Sequence, residues 1–243
     1  MIAIISMFFV TGSAQSGVGA ALCATLMLTA VIVLGIVMTF WTSRLLSGTV
    51  LKGVPSSFTL ELPPYRKPQI GKVLVRSVFD RTLFVLGRAA AVAAPAGLLI
   101  WVMANVTIGN ATLLAHCAQF LDPFARLLGM DGVILLAFIL GFPANEIVFP
   151  IILMTYTATG SLMPLPSLSA LKTLLVQNGW TWLTAVCTLL FSLMHWPCST
   201  TCMTIKKETQ SRKWTAAAIA LPTGVGMLLC FAVATMARLL HLA

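Results

Sequence analysis

The chain has 243 residues, of which 59% are hydrophobic and 9% charged, with a formal net charge of +9. A soluble domain carries roughly 25% charged residues, so this chain cannot cover a globular surface in water and its solvent is lipid. Its apolar runs are continuous, which excludes the ten-residue alternation of a membrane β-barrel.

Residues 1–10 have no basic n-region and no clear cleavage site, so they read as the tail of a span and not as a signal peptide. Residues 11–17, TGSAQSG, form a turn by composition. Residues 18–41 are apolar and long enough for a first full span. Residues 42–72 contain ELPPYRKPQIG, whose prolines favour an extended, surface-lying connection. In residues 73–88, Arg76, Asp80, Arg81 and Arg88 fall near one side at helical spacing. That pattern predicts an amphipathic helix in the interface plane; the alternative is a basic overhang of the next span. Residues 89–105 are the second span, with a kink expected at Pro95 and Gly97. Residues 107–131 are mixed and are expected on the outer face, partly helical.

The run from 132 to 159 is apolar but interrupted by GFPANEIVFP. A Pro- and Ser-containing connection covers 162–179. Residues 180–204 form the next span, interrupted by HWPCST, and residues 214–236 the last. The expected class is an all-α integral membrane protein. It has about four spanning helices, a re-entrant or broken gate helix pair and an interfacial amphipathic helix. The expected segments are 1–43, 44–88, 89–131 and 132–243, the last being the gate region.

The positive charge does not indicate nucleic acid. Basic residues cluster beside spans, from Arg44 to Arg88 and at Lys206, Lys207, Arg212 and Lys213, and such clusters mark the cytoplasmic side. Three crossings between the clusters would put them on opposite sides. A re-entrant hairpin over 132–159, turning at GFPAN, leaves two crossings and puts them on the same side. A short crossing by 162–176 would do the same.

Chemistry concentrates at the two interruptions. A mid-membrane carboxylate such as Glu146 costs roughly 2.5–3.5 kcal/mol on insertion scales and marks ion pathways by default. Pro143 removes an N–H and frees carbonyls, which join the Asn145 amide and the Glu146 carboxylate as available oxygen ligands. The alternative is a kink whose Glu bonds a neighbouring helix. Pro197 breaks the second helix in the same way. His195 and Cys198 are three residues apart, and imidazole, thiolate and carboxylate all suit Fe2+, Mn2+, Co2+ or Zn2+. Paired broken helices suggest two half-helices meeting at one site. The six cysteines form no CxxC pair and most lie in apolar runs, so they read as fillers unless a separate reason applies. No phosphate loop and no nucleophile–base set is visible, so the chain is not read as an enzyme.

Three stretches carry a family resemblance. LELPPYRKPQIGKVLVRSVFDRTLFVLGRAAAVAAPAGLLIW, LGFPANEIVFPIILM and HWPCSTTCMTIKKETQSRKW are similar to the second gate region of the ferrous iron transport protein B family, over roughly 31–231. The resemblance implies Fe2+ as transported substrate and a multi-pass protein of the bacterial cytoplasmic membrane. It implies partners too: the lipid bilayer, an N-terminal GTPase domain and a first gate half. A homo-oligomer is compatible with it. GTP would act only through that GTPase domain, which this sequence lacks. By the residue match, Pro143, Asn145, Glu146, Pro197 and Cys198 fall in the gate, and the family's gate cysteines are proposed path ligands. His195 precedes the Pro-Cys pair and joins the candidate metal ligands. The alternatives are a gate-type transporter of another solute, such as a nucleoside, and a non-transporting membrane scaffold.

Overall fold

The structure is a computed structural model that describes residues 4, 8, 18–49, 69–158 and 168–241. The expected turn at 11–17 lies outside the described residues, as do most of the connection at 42–72 and the prolines near 164. Among the described residues the fold is helical apart from one two-stranded hairpin. By contacts the chain divides into two compact units, Met1–Leu28 with Ala91–Ala243, and Thr29–Ala90.

Helix α1 spans Val18–Thr49 and extends the expected first span into the connection. Its side chains are largely exposed, including Leu26, Ile36 and Phe40, as lipid-facing apolar residues are. Helix α2 spans Ile70–Arg76, passes into a π-helical segment at Ser77–Leu83, and continues directly as α3, Phe84–Asn105. This differs from the expected separate interfacial helix over 73–88. No Pro or Gly stands between Lys72 and Leu86 to end the helix, so the basic stretch runs on into the span. The helix also continues through Pro95.

Strands β1 (Thr107–Ile108) and β2 (Ala111–Thr112) pair antiparallel, Thr107 opposite Thr112. Thr112 then caps α4, Leu113–Leu127, by accepting from Ala115 N–H at 3.2 Å. Helix α5 covers Gly132–Leu140 and α6 covers Val148–Thr157. Helices α7 (Leu168–Gln177), α8 (Trp182–Met194), α9 (Ser199–Thr209) and α10 (Arg212–Leu239) complete the chain. Helix α7 occupies part of what the sequence reads as a connection. Leu171 and Leu175, one turn apart, are buried and give it a packing face.

Among the described residues three helices are long and apolar enough to cross a membrane: Leu22–Arg44, Val85–Asn105 and Arg212–Leu239. Two bent pairs bring the number to as many as five: Leu113–Leu127 with Gly132–Leu140 at 109°, and Ser169–Gln177 with Trp182–Thr209 at 102°. The core lies around α5 and α6, against α4, α8 and α10. Phe191, Ile134, Ile151, Ile152, Cys187 and Cys230 are fully buried there. Gly132 is required where α4 and α5 cross, because a Cβ there would stand 1.9 Å from the Ala118 carbonyl oxygen.

Helices α5 and α6 form a hairpin whose two ends meet. Asp131 caps α5, accepting from Ile134 N–H at 2.7 Å. Its other carboxylate oxygen accepts from the hydroxyl of Tyr156, near the end of α6. Trp180 Nε1 donates to the same hydroxyl at 2.8 Å. Nine residues of helix are about 14 Å long, about half of the 30 Å hydrocarbon thickness. Each arm of the hairpin is therefore too short to cross alone, as the arms of a re-entrant element would be.

Candidate functional site

The first break follows α5. Gly141 N–H still donates to Ala137 O at 2.8 Å, and Ala144 N–H to Gly141 O at 3.0 Å. Pro143, lacking an N–H, ends the regular ladder. The chain takes one 3-10 turn at Asn145–Ile147 before α6 begins. Gly141 closes the turn tightly, since a Cβ there would lie 2.4 Å from Val148 Cγ2. Asn145 and Glu146 are exposed at this tip, and neither side chain has a partner among the described residues.

The second break follows α8. His195 N–H makes the last helical bond, to Phe191 O at 2.8 Å, and His195 is extended. Residues 196–198 carry the chain past Pro197, and Cys198 occupies the N-cap of α9 with no side-chain cap bond. Its sulfur lies 3.2 Å from Thr200 Oγ1 and 3.1 Å from Thr201 Oγ1. Cys198 is half-buried, as are His195, Pro197 and Pro143.

The two breaks meet. Ser199 N–H donates to Phe142 O at 2.9 Å, and its hydroxyl lies 3.5 Å from Pro143 O. In hydrocarbon no water can satisfy a stranded backbone group. Here the carbonyls stranded by one break are met by an N–H stranded at the start of the helix after the other. The expectation that the PANE and WPCS stretches come together therefore has a direct geometric counterpart.

His195 has a definite tautomer. Its Nδ1 is 2.9 Å from Ser192 O, and a carbonyl only accepts, so Nδ1 carries the proton. In the neutral ring Nε2 then holds the lone pair, and it is buried with no hydrogen-bond partner among the described residues. A ring held by Nδ1 with a free Nε2 is the arrangement of metal-ligating histidines. Phe138 and Phe191 flank it, with ring centroids 5.1 and 6.1 Å away. Among the described residues no three His, Cys, Asp or Glu side chains gather into one cluster. The site is thus two juxtaposed breaks with dispersed donors.

The other thiols sit differently. Cys187 and Cys230 are fully buried, and Cys230 Sγ donates to Cys187 O at 3.4 Å. Buried Cys202 donates to Pro197 O at 3.4 Å. Sequence reasoning did not find the Asp131–Tyr156–Trp180 clasp. The visible signal for part of that clasp was Asp131 directly before an apolar run, an N-cap pattern.

A family model described as nucleoside recognition, the gate model, matches residues 86–212, over half the chain. One described as ferrous iron transport protein B C terminus matches residues 28–80. The chain belongs to the gate family, in its ferrous iron transport protein B form. Curated relatives of this gate protein carry the same description, Fe(2+) transporter FeoB. That of Staphylococcus aureus (strain COL) is 31% identical over 210 residues, covering 82% of this chain and 30% of the relative. That of Leptospira interrogans (strain Fiocruz L1-130) is 26% identical over 206 residues, covering 74% and 29%. That of Synechocystis sp. is 27% identical over 177 residues, covering 72% and 27%. The gate protein therefore spans about 30% of the length of the curated relatives it matches. No solved structure matches it.

Proposed function

We propose that this chain forms part of the membrane path of a ferrous iron permease, with Fe2+ as the transported substrate, in a bacterial cytoplasmic membrane. The observation that carries the reading is the docking of the two broken helices through Ser199 and Phe142. It unites a tip bearing Asn145 and Glu146 with a break bearing His195 and Cys198. Those four residues are the proposed metal ligands, and Pro143 and Pro197 supply the breaks. Fe2+ accepts mixed oxygen, nitrogen and sulfur donors, whereas Mg2+ and Ca2+ prefer oxygen. The partners under this reading are the bilayer and the N-terminal GTPase and first gate half of the transporter. GTP acts there and not on this chain.

The test is uptake of labelled iron by vesicles holding the complete transporter. Glu146→Gln keeps shape and removes charge, so uptake should fall roughly tenfold, about 1.4 kcal/mol, at matched insertion. Two rival readings share the same experiment. A nucleoside path would show competition by nucleosides and indifference to the thiol at 198. A scaffold would tolerate the loss of Glu146 altogether.

A further inference from the structure

The path proposed above leaves open what holds its two halves in register, and the geometry points to the backbone N–H of Ser199. We propose that Ser199 is a positioning residue: it docks the cysteine-bearing break onto the tip of the α5–α6 hairpin, so that Cys198 and the Asn145–Glu146 turn are presented as one site. This inference rests on the permease reading for its functional half and on geometry alone for its docking half.

Three observations carry it. Ser199 is 4% exposed, and with Thr188 it is one of two buried polar residues among those described. Thr188 bonds within its own helix, to Thr184 O at 2.7 Å. Ser199 bonds instead to a distant part of the chain, to Phe142 O through its N–H and toward Pro143 O through its hydroxyl. Cys198 is the residue immediately before it. A shift of the Ser199 amide away from Phe142 therefore carries the sulfur away from the tip. The N–H bond at 2.9 Å is the strong contact and the hydroxyl at 3.5 Å the weak one, so the docking belongs to the backbone more than to the side chain.

That distinction makes the idea testable. Ser199 is the first residue of α9, where proline is favoured because the N–H is not used by the helix. The residue before a proline must be extended, and Cys198 already is, at φ −60° and ψ 157°. Ser199→Pro therefore removes the docking N–H while leaving α9 able to form. Ser199→Ala keeps the N–H and removes only the hydroxyl.

The complete transporter carrying each variant is reconstituted, and two quantities are measured. The first is amide hydrogen exchange of peptides covering 141–147 and 196–204. The second is the half-saturation and maximal rate of labelled iron uptake. Ser199→Pro should speed exchange at the tip and raise the half-saturation roughly tenfold, with the maximal rate per inserted protein less affected. Ser199→Ala should stay within about twofold of wild type in both. Wild-type exchange in the proline variant overturns the docking. Faster exchange with unchanged half-saturation leaves a purely structural contact and overturns the positioning role. If Ser199→Pro does not insert, exchange of the Ser199 amide itself is followed in the wild-type transporter: strong protection supports the docking, and exchange as fast as that of an unbonded amide overturns the docking and the positioning role with it. The permease reading fails separately, through indifference of uptake to Glu146→Gln and Cys198→Ser, while the exchange data still decide whether the breaks are docked.

Discussion

At the scale of single residues, the four thiols of the gate region separate by what they touch. Cys187 and Cys230 face the core, Cys202 returns to Pro197 O, and Cys198 alone of these stands half-buried with hydroxyl neighbours. Cys198→Ser keeps size but replaces a soft donor with a hard one. Iron uptake by the complete transporter should fall roughly tenfold, with folding unchanged, whereas Cys187→Ser and Cys202→Ser should change uptake by less. Equal uptake by the Cys198 and Cys187 variants would make the thiol at 198 packing. The candidate residues themselves were legible in the sequence, because a carboxylate or a Pro-Cys pair in an apolar run is conspicuous. Ser199 was not, because its role lies in an amide that every non-proline residue carries, and only a long-range fold chooses which amide faces a stranded carbonyl.

At the scale of elements, the hairpin depends on a clasp and on one close approach. Tyr156→Phe removes the hydroxyl that links Asp131 and Trp180, leaving a half-buried carboxylate oxygen and the indole N–H of a buried ring short of a partner. The expected cost is about 1–3 kcal/mol, read as a lower thermal midpoint of the detergent-solubilised protein. Gly132→Ala should destabilise more, because its Cβ would meet backbone and not a movable side chain. Overpacking typically costs about 1–3 kcal/mol and occasionally more, and a midpoint equal to that of wild type would mean that α4 and α5 separate freely. Element existence was mostly readable from apolar runs and prolines. Two features were not. Helix α7 is short and follows prolines, so its Leu171–Leu175 face reads as part of a loop until a partner surface is present. The junction of 73–88 with the next span was harder to read, because the basic residues at helical spacing suggest an interfacial helix while the lack of Pro or Gly between Lys72 and Leu86 lets the helix run on.

At the scale of the whole molecule, a re-entrant half-length hairpin would reconcile the charge pattern with the count of spans, as would a short crossing by 162–176. If α5 and α6 go in and return, the chain crosses twice between the two basic clusters, by the α3 span and by the bent pair that ends in Trp182–Thr209. Single cysteines at positions 72 and 207, in an otherwise Cys-free background, should therefore resist an impermeant thiol reagent from outside, and one at 178 should react. Outside labelling at either 72 or 207 would defeat the same-side arrangement; Arg66, in the same basic cluster, lies outside the described residues. The half-length hairpin has an electrical consequence as well. A tip that reached mid-depth would lie about halfway through the membrane potential, and a charge crossing the full field changes energy by about 2.3 kcal/mol per 100 mV. Under the permease reading, a doubly charged cargo drawn inward to such a tip would gain about 2.3 kcal/mol per 100 mV from half the drop. Imposing an inside-negative potassium diffusion potential on the vesicles should then lower the half-saturation for iron, because the voltage itself concentrates the ion at the bend.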